Sequence, residues 1–178
     1  MSSSKAKQLK HVFADRWRYG VKRELLVLNI LNILLPRGFV AILTGIGSGS
    51  NIYVEASYDN PLNAFDIVVF NEEYEPVAFI DVTGVRDARS YDKGKGLCVG
   101  SWKLYKSEKY GIQDRTWFIH VLDDRVSLRF INYNMMKKHG KLHRLHEGYG
   151  VEGQFHCCDS KYWVSPKEFI KWLMVKRK

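Results

Sequence analysis

Asp81 sits in the middle of "AFIDVTG", residues 78–84, where Ala78, Phe79, Ile80 and Val82 are otherwise apolar or small. A carboxylate on a core strand is costly unless a cation, a metal or a hydrogen-bond network compensates it. Two more acids invite the same question. Asp66 follows Phe65 and opens the apolar run of "AFDIVVF", and Glu24 lies within "RYGVKRELLVLNIL". Alone, each has an ordinary reading: Asp66 as a strand-end acid in solvent, Glu24 as a surface acid near a helix start. Carboxylates held together repel one another unless a divalent cation neutralises them. Mg²⁺, or Mn²⁺ in its place, prefers such hard oxygen ligands. A cation held that way can polarise a phosphodiester and acidify the water that attacks it.

These residues need elements to position them. Residues 17–35 read as a helix ended by Pro36 and Gly38. On it Lys22, Asn29 and Asn32 cluster on one side, and Glu24 falls on the other with Leu28 and Leu31. Segments 38–45, 51–58, 64–70 and 76–84 are rich in β-branched and aromatic residues and bounded by Gly, Asn, Asp or Pro, as strands are. "NEEYEP", 71–76, reads as a hairpin connection, which puts Asp66 and Asp81 on neighbouring strands. Strand side chains repeat with period two, so Asp81 and Thr83 look the same way. Residues 97–111 read as a second helix, "TWFIHVL" and "VSLRFINY" as two further strands, and "SPKEFIKWLMVK" as a final helix capped by Ser165, with Pro166 at its first position and Glu168 completing a capping box. The order is helix, four strands, helix, two strands, helix: a mixed α/β domain over 17–178 behind a basic arm, residues 1–16.

A chain of 178 residues with 46% hydrophobic residues can build one real core. The apolar run 25–35 is interrupted by Asn29 and Asn32 and is too short and polar to span a membrane. The first residues carry no apolar signal region. These features predict a soluble, cytoplasmic protein. The net charge of +9 is uneven. Residues 1–23 hold seven basic side chains against Asp15 alone, a local +6, while residues 51–92 hold nine acids against Arg86 and Arg89, a local −7. An acidic block in a basic chain suggests a cation site set in a phosphate-binding surface. Arg16, Arg18, Lys22 and Arg23, Ser48 in the loop "GIGSGS", and Lys93 and Lys95 are the candidate nucleic-acid contacts.

Cys98, Cys157 and Cys158 form no disulfide framework by number or spacing and read as reduced, buried thiols. His139, His143 and His146 would share a face if 137–146 were helical, and with Cys157 or Cys158 could bind zinc. Gly140 weakens that helix, and a basic phosphate-binding surface with Lys137, Lys138, Lys141 and Arg144 is the alternative.

With these residues in place, the chain resembles the PD-(D/E)xK nuclease superfamily, and in layout the archaeal Holliday-junction resolvases. The resemblance rests on residues 18–39, "NAFDIVVF" (63–70) and "AFIDVTG" (78–84). It implies a restriction-endonuclease-like αβββαβ core, a central mixed sheet flanked by helices. Glu24 matches the helix acid, Asp66 the metal-binding strand acid and Asp81 the acid of the doublet. The superfamily lysine falls at Thr83, which keeps a hydroxyl but no charge. Lys103, on the second helix, is the candidate replacement, since some members supply the charge from there; Lys93 and Lys95 are weaker candidates. The resemblance thus implies a Mg²⁺- or Mn²⁺-dependent DNA endonuclease, structure-specific in a resolvase-like role and working as a homodimer. The alternative is a nucleic-acid-binding protein on the same fold with an impaired site.

Overall fold

The computed structural model describes residues 3–45, 60–85, 96–124, 126–146 and 152–176. The expected strand 51–58, Ser48, Lys93 and Lys95 lie outside them. No helix among the described residues is long and apolar enough to cross a membrane.

Helix α1 runs Ser3–Leu34, further back than residue 17, so Glu24 stands mid-helix rather than near a start. Val27 and Leu31, one turn apart, are fully buried, and the chain leaves the helix through Gly38 at φ 91°. Asn32, which interrupts the apolar stripe, bonds both backbone groups of Ala41 and fastens strand β1 (Val40–Leu43) to the helix.

A one-turn helix, α2 (Pro61–Ala64), capped by Asn60, leads into β2 (Ile67–Phe70). A tight connection follows, in which the Asn71 side chain accepts from the backbone amides of Glu73 and Glu75 while Tyr74 takes φ 61°. Strand β3 (Pro76–Val85) returns antiparallel, with Ile67 opposite Ile80. Continuing that register brings Asp66 opposite Asp81. After β4 (Leu97–Gly100) and α3 (Ser101–Lys109), β5 (Thr116–Leu122) pairs parallel to β3, and β6 (Ser127–Asn132) closes the five-stranded order β1-β2-β3-β5-β6. This is the αβββαβ plan with a central mixed sheet.

The helix expected over 97–111 is therefore a strand followed by a shorter helix. "LCVG" offers β-favouring residues, and Gly100 marks the change of direction. The region expected as a histidine-bearing helix also divides. Helix α4 (Tyr133–His139) stops at Gly140, and β7 (Lys141–His146) and β8 (Glu152–Cys158) form a second sheet of order β4-β8-β7. Helix α5 spans Pro166–Lys176.

The two faces of the main sheet have different company. Ile80 and Val82 share a core with Val27 and Leu31 of α1 and Phe169 and Leu173 of α5. Phe79 packs with Phe65, and Phe118 with Leu104 of α3 and Leu97 of β4. Asp81, alternate with Ile80 and Val82, faces α3.

Candidate active site

Strand β3 carries Asp81 inward, where it is 1% exposed. Two lysines of α3, spaced to share a helix face, reach it. Lys106 Nζ lies 2.9 Å from Asp81 Oδ1 and also donates to the Ala64 carbonyl. Lys103 Nζ lies 3.5 Å from the same Oδ1, 3.7 Å from Asp66 Oδ2 and 2.8 Å from the Val82 carbonyl, to which it donates. Asp66 Oδ2 accepts the Val82 amide at 2.7 Å. Two acids, two ammoniums and one backbone unit thus form a single buried network.

Its electrostatics follow from that packing. Burial raises the Asp66 carboxyl above the ordinary aspartate value; Lys103 pulls it down and Asp81 pushes it further up. Burial acts to depress the Lys103 ammonium, but Asp81, Asp66 and, further out, Glu24 together outweigh it and hold its pKa above the usual lysine value. Lys103 is therefore a charged, fixed cation surrounded by oxygen atoms.

A cleft of about 500 Å³ opens beside this network, lined by residues that include Tyr19, Arg23, Thr83, Trp102, Lys103 and Phe155. Arg23 crosses above Gly84, where a Cβ would stand 2.5 Å from Arg23 Nε, and its guanidinium grips Asp123 at 2.9 and 2.7 Å. Thr83 lines the cleft beside Lys103. Next to Thr83 in the parallel pairing is His120, buried and held neutral: burial first, then the charge of Arg23, lowers its pKa to about 3.

The structure brings Asp66, Asp81 and Lys103 together, with Thr83 at the edge. Glu24 does not complete a three-ligand cluster: among the described residues no three His, Cys, Asp or Glu side chains gather as a metal would need. The atoms that fit a cation are the Asp66 and Asp81 carboxylates and the Val82 carbonyl, all hard oxygen donors. Asp81 Oδ2 is buried without a hydrogen-bond partner. Such a donor set suits Mg²⁺ or Mn²⁺. Lys22 is exposed and leans over Tyr19. Arg16 and Arg18 lie on α1, with side chains outside the described set.

Other sequence expectations are corrected. Cys98 and Cys157 are joined by a disulfide, because facing positions of β4 and β8 bring their Cα atoms to 4.0 Å; only Cys158 is a free, buried thiol. With Cys157 so bonded, His139 ending α4 and stacked on Tyr162, and His143 and His146 on β7, the shared histidine face does not exist. Lys106 and Trp102 were not singled out from sequence. Their signal is the spacing of Trp102, Lys103 and Lys106 at i, i+1 and i+4 on α3, which only the placement of Asp81 makes meaningful.

A model of the viral/archaeal nuclease family matches residues 20–174. Among solved structures, a nuclease from a fusselovirus is similar at TM-score 0.58 and 21% identity, covering 85% of this chain and 89% of that one. Hjc, a Holliday junction resolvase from the archaeal hyperthermophile Archaeoglobus fulgidus, is similar at TM-score 0.48 and 18% identity, covering 85% and 99%. No curated protein matches.

Proposed function

Because the chain belongs to the viral/archaeal nuclease family, we propose that it hydrolyses phosphodiester bonds of DNA in the cytoplasm with Mg²⁺ or Mn²⁺ held by Asp66 and Asp81. The observation that carries this reading is the environment of Lys103 Nζ, where both carboxylates and the Val82 carbonyl turn toward one positive charge. What a bound cation supplies is Lewis acidity toward the phosphate and an acidified water. The chain's own residues do the rest. Asp66 is fixed by the Val82 amide, and Lys106 fixes Asp81, so neither carboxylate must reorganise. Glu24 adds negative charge behind Lys103. Lys103, in the cleft beside Thr83, supplies the positive charge that threonine lacks and is placed to stabilise charge developing on the phosphate. The basic arm 1–16, with Arg16, Arg18, Lys22, Arg23, Ser48, Lys93 and Lys95, holds the DNA backbone. A resolvase-like action on branched DNA, with one site per strand, would need a homodimer.

The test is cleavage of a panel comprising duplex, single strand, flap and four-way junction, with Mg²⁺, Mn²⁺ or EDTA. Metal-dependent cutting that Asp81→Asn abolishes is expected. If no substrate is cut while binding persists, the chain acts as a nucleic-acid-binding protein; cutting that survives Asp81→Asn would place the active site elsewhere.

A further inference from the structure

Trp102 stands in the first turn of α3 at the edge of the cleft, and 53% of it is exposed. Indoles are usually well buried on average. This one is exposed yet held. Gly100 leaves room for it: a Cβ there would lie 2.7 Å from Trp102 Nε1, so the indole folds back against the bare backbone. The Nζ atoms of Lys103 and Lys106 lie 5.2 and 4.9 Å from its ring centroid. Both lysines are tied to Asp81, so the ring is pinned to the same network that positions the carboxylates. Tyr105, three residues on, is 64% exposed and extends the aromatic surface along the helix.

We propose that Trp102 is a stacking platform for an unpaired nucleobase lying next to the scissile phosphate. The inference rests on the reading of this cleft as the place where the phosphate binds, and it names the substrate class: nucleic acid carrying an unstacked nucleotide at the cut. Cations and an exposed aromatic ring side by side are the combination that holds single strands, because Arg and Lys take the phosphate while the ring takes whichever base follows. Here Arg23 and Lys103 line the same cleft as the indole. A base inside a regular duplex is already stacked on both sides, and extruding it costs free energy that a mismatched or unpaired base does not. Trp102 therefore selects for a bulge, gap or branch rather than for a sequence, since every base offers a π-face.

The test is equilibrium binding in EDTA, where no cleavage intervenes. Two DNA probes are compared, one with a single unpaired 2-aminopurine bulge and one with the same nucleotide paired. The wild-type chain should bind the bulged probe more tightly and quench its fluorescence. Trp102→Ala should remove the quenching and weaken bulge binding by about 5- to 150-fold, the range for losing one stacked base, while leaving the paired duplex unchanged. Trp102→Phe should retain most of the preference. Trp102→Leu, which keeps apolar packing over the lysines, should lose it. Equal binding of both probes by the wild type, an equal loss on both with Trp102→Ala, or a bulge preference preserved in Trp102→Leu would each overturn the platform. Because the readout is binding, a failure to cut DNA with metal would sink the nuclease reading without touching this result.

Discussion

Lys106 and Asp81 meet at 2.9 Å with side-chain exposures of 8% and 1%, an ion pair almost wholly inside the protein. A pair so buried gains little over an apolar pair of the same size, but breaking it strands a charge. Lys106→Met should therefore destabilise the fold by about 3–5 kcal/mol, less whatever Lys103 compensates from 3.5 Å. Lys106→Met combined with Asp81→Asn should recover much of that loss. Urea unfolding of the wild type and the two variants checks this; a double variant as unstable as Lys106→Met would show that Lys106 acts through packing instead.

Lys103 lies beside the oxygens that would hold a divalent cation. Removing its charge should favour the cation and hinder the reaction. For Lys103→Met, calorimetry should show Mn²⁺ binding strengthened by at least about tenfold, since a unit charge some 4 Å away is worth up to roughly 4 kcal/mol at an effective dielectric near 20. Turnover should drop on the order of 10²-fold or more. Thr83→Lys added to Lys103→Met should restore part of the turnover by returning the charge to the strand. Unchanged Mn²⁺ affinity in Lys103→Met would mean that the cation binds away from these oxygens.

His120 sets a pH limit on stability. Its pKa in the folded chain, about 3, lies below the ordinary 6.5, so as pH falls the unfolded chain takes up a proton first. Its contribution to stability is complete above pH 6.5 and is lost progressively down through about pH 3. Between pH 7 and 4.5 the loss should be about 2–3 kcal/mol. His120→Phe, which keeps a ring against Trp163, should flatten the difference between unfolding curves at those two pH values. A wild-type difference that persists unchanged in His120→Phe would assign the acid sensitivity to other groups.

The Cys98–Cys157 bridge closes a sequence separation of 59 residues. On the chain-entropy account a loop of that size contributes about 4 kcal/mol. Reduction should lower the melting temperature by roughly 10 °C, and Cys98→Ala should melt like the reduced protein whether or not reductant is present. No shift on reduction would mean that the bridge adds nothing to the folded state.

The meeting of Asp66 and Asp81 was legible because Asp81 breaks a local rule. A charge amid Phe79, Ile80 and Val82 has few explanations, and the hairpin fixes which acid lies opposite. Lys103 could be named only through the resemblance, in which a lysine is expected where Thr83 stands and a helix can supply the charge instead. Lys106 could not: a lysine on a helix reads as solvated until the strand beneath it is placed. Helix α1 was recognised from its apolar stripe in 25–31; further back Leu9, Val12, Phe13 and Trp17 keep a helical spacing, but the dense basic charge of residues 5–18 obscures it. The second sheet was missed for a related reason. In "KLHRLH" the leucines and the histidines each fall three apart, a helical rather than a strand spacing, and only the stop at Gly140 and the pairing with β8 make it a strand. The disulfide depends on β4 and β8 facing each other, a long-range pairing that no local pattern encodes.

The way α3 is mounted also orders events in time. Helix α3 follows directly from β4, and β4 pairs with β8 and is bonded to it through Cys157. As the chain leaves the ribosome, Asp66 and Asp81 emerge 15 positions apart and come to lie across one hairpin from each other. The strand that anchors the lysine-bearing helix arrives only at residue 152. A nascent chain that ends before β8 would carry both acids and both lysines but lack the strand that fastens β4, leaving α3 held by Leu104 against Phe118 and by its own ion pairs. The last fastening of the helix that carries the site's counter-charges thus comes late in synthesis, with β8.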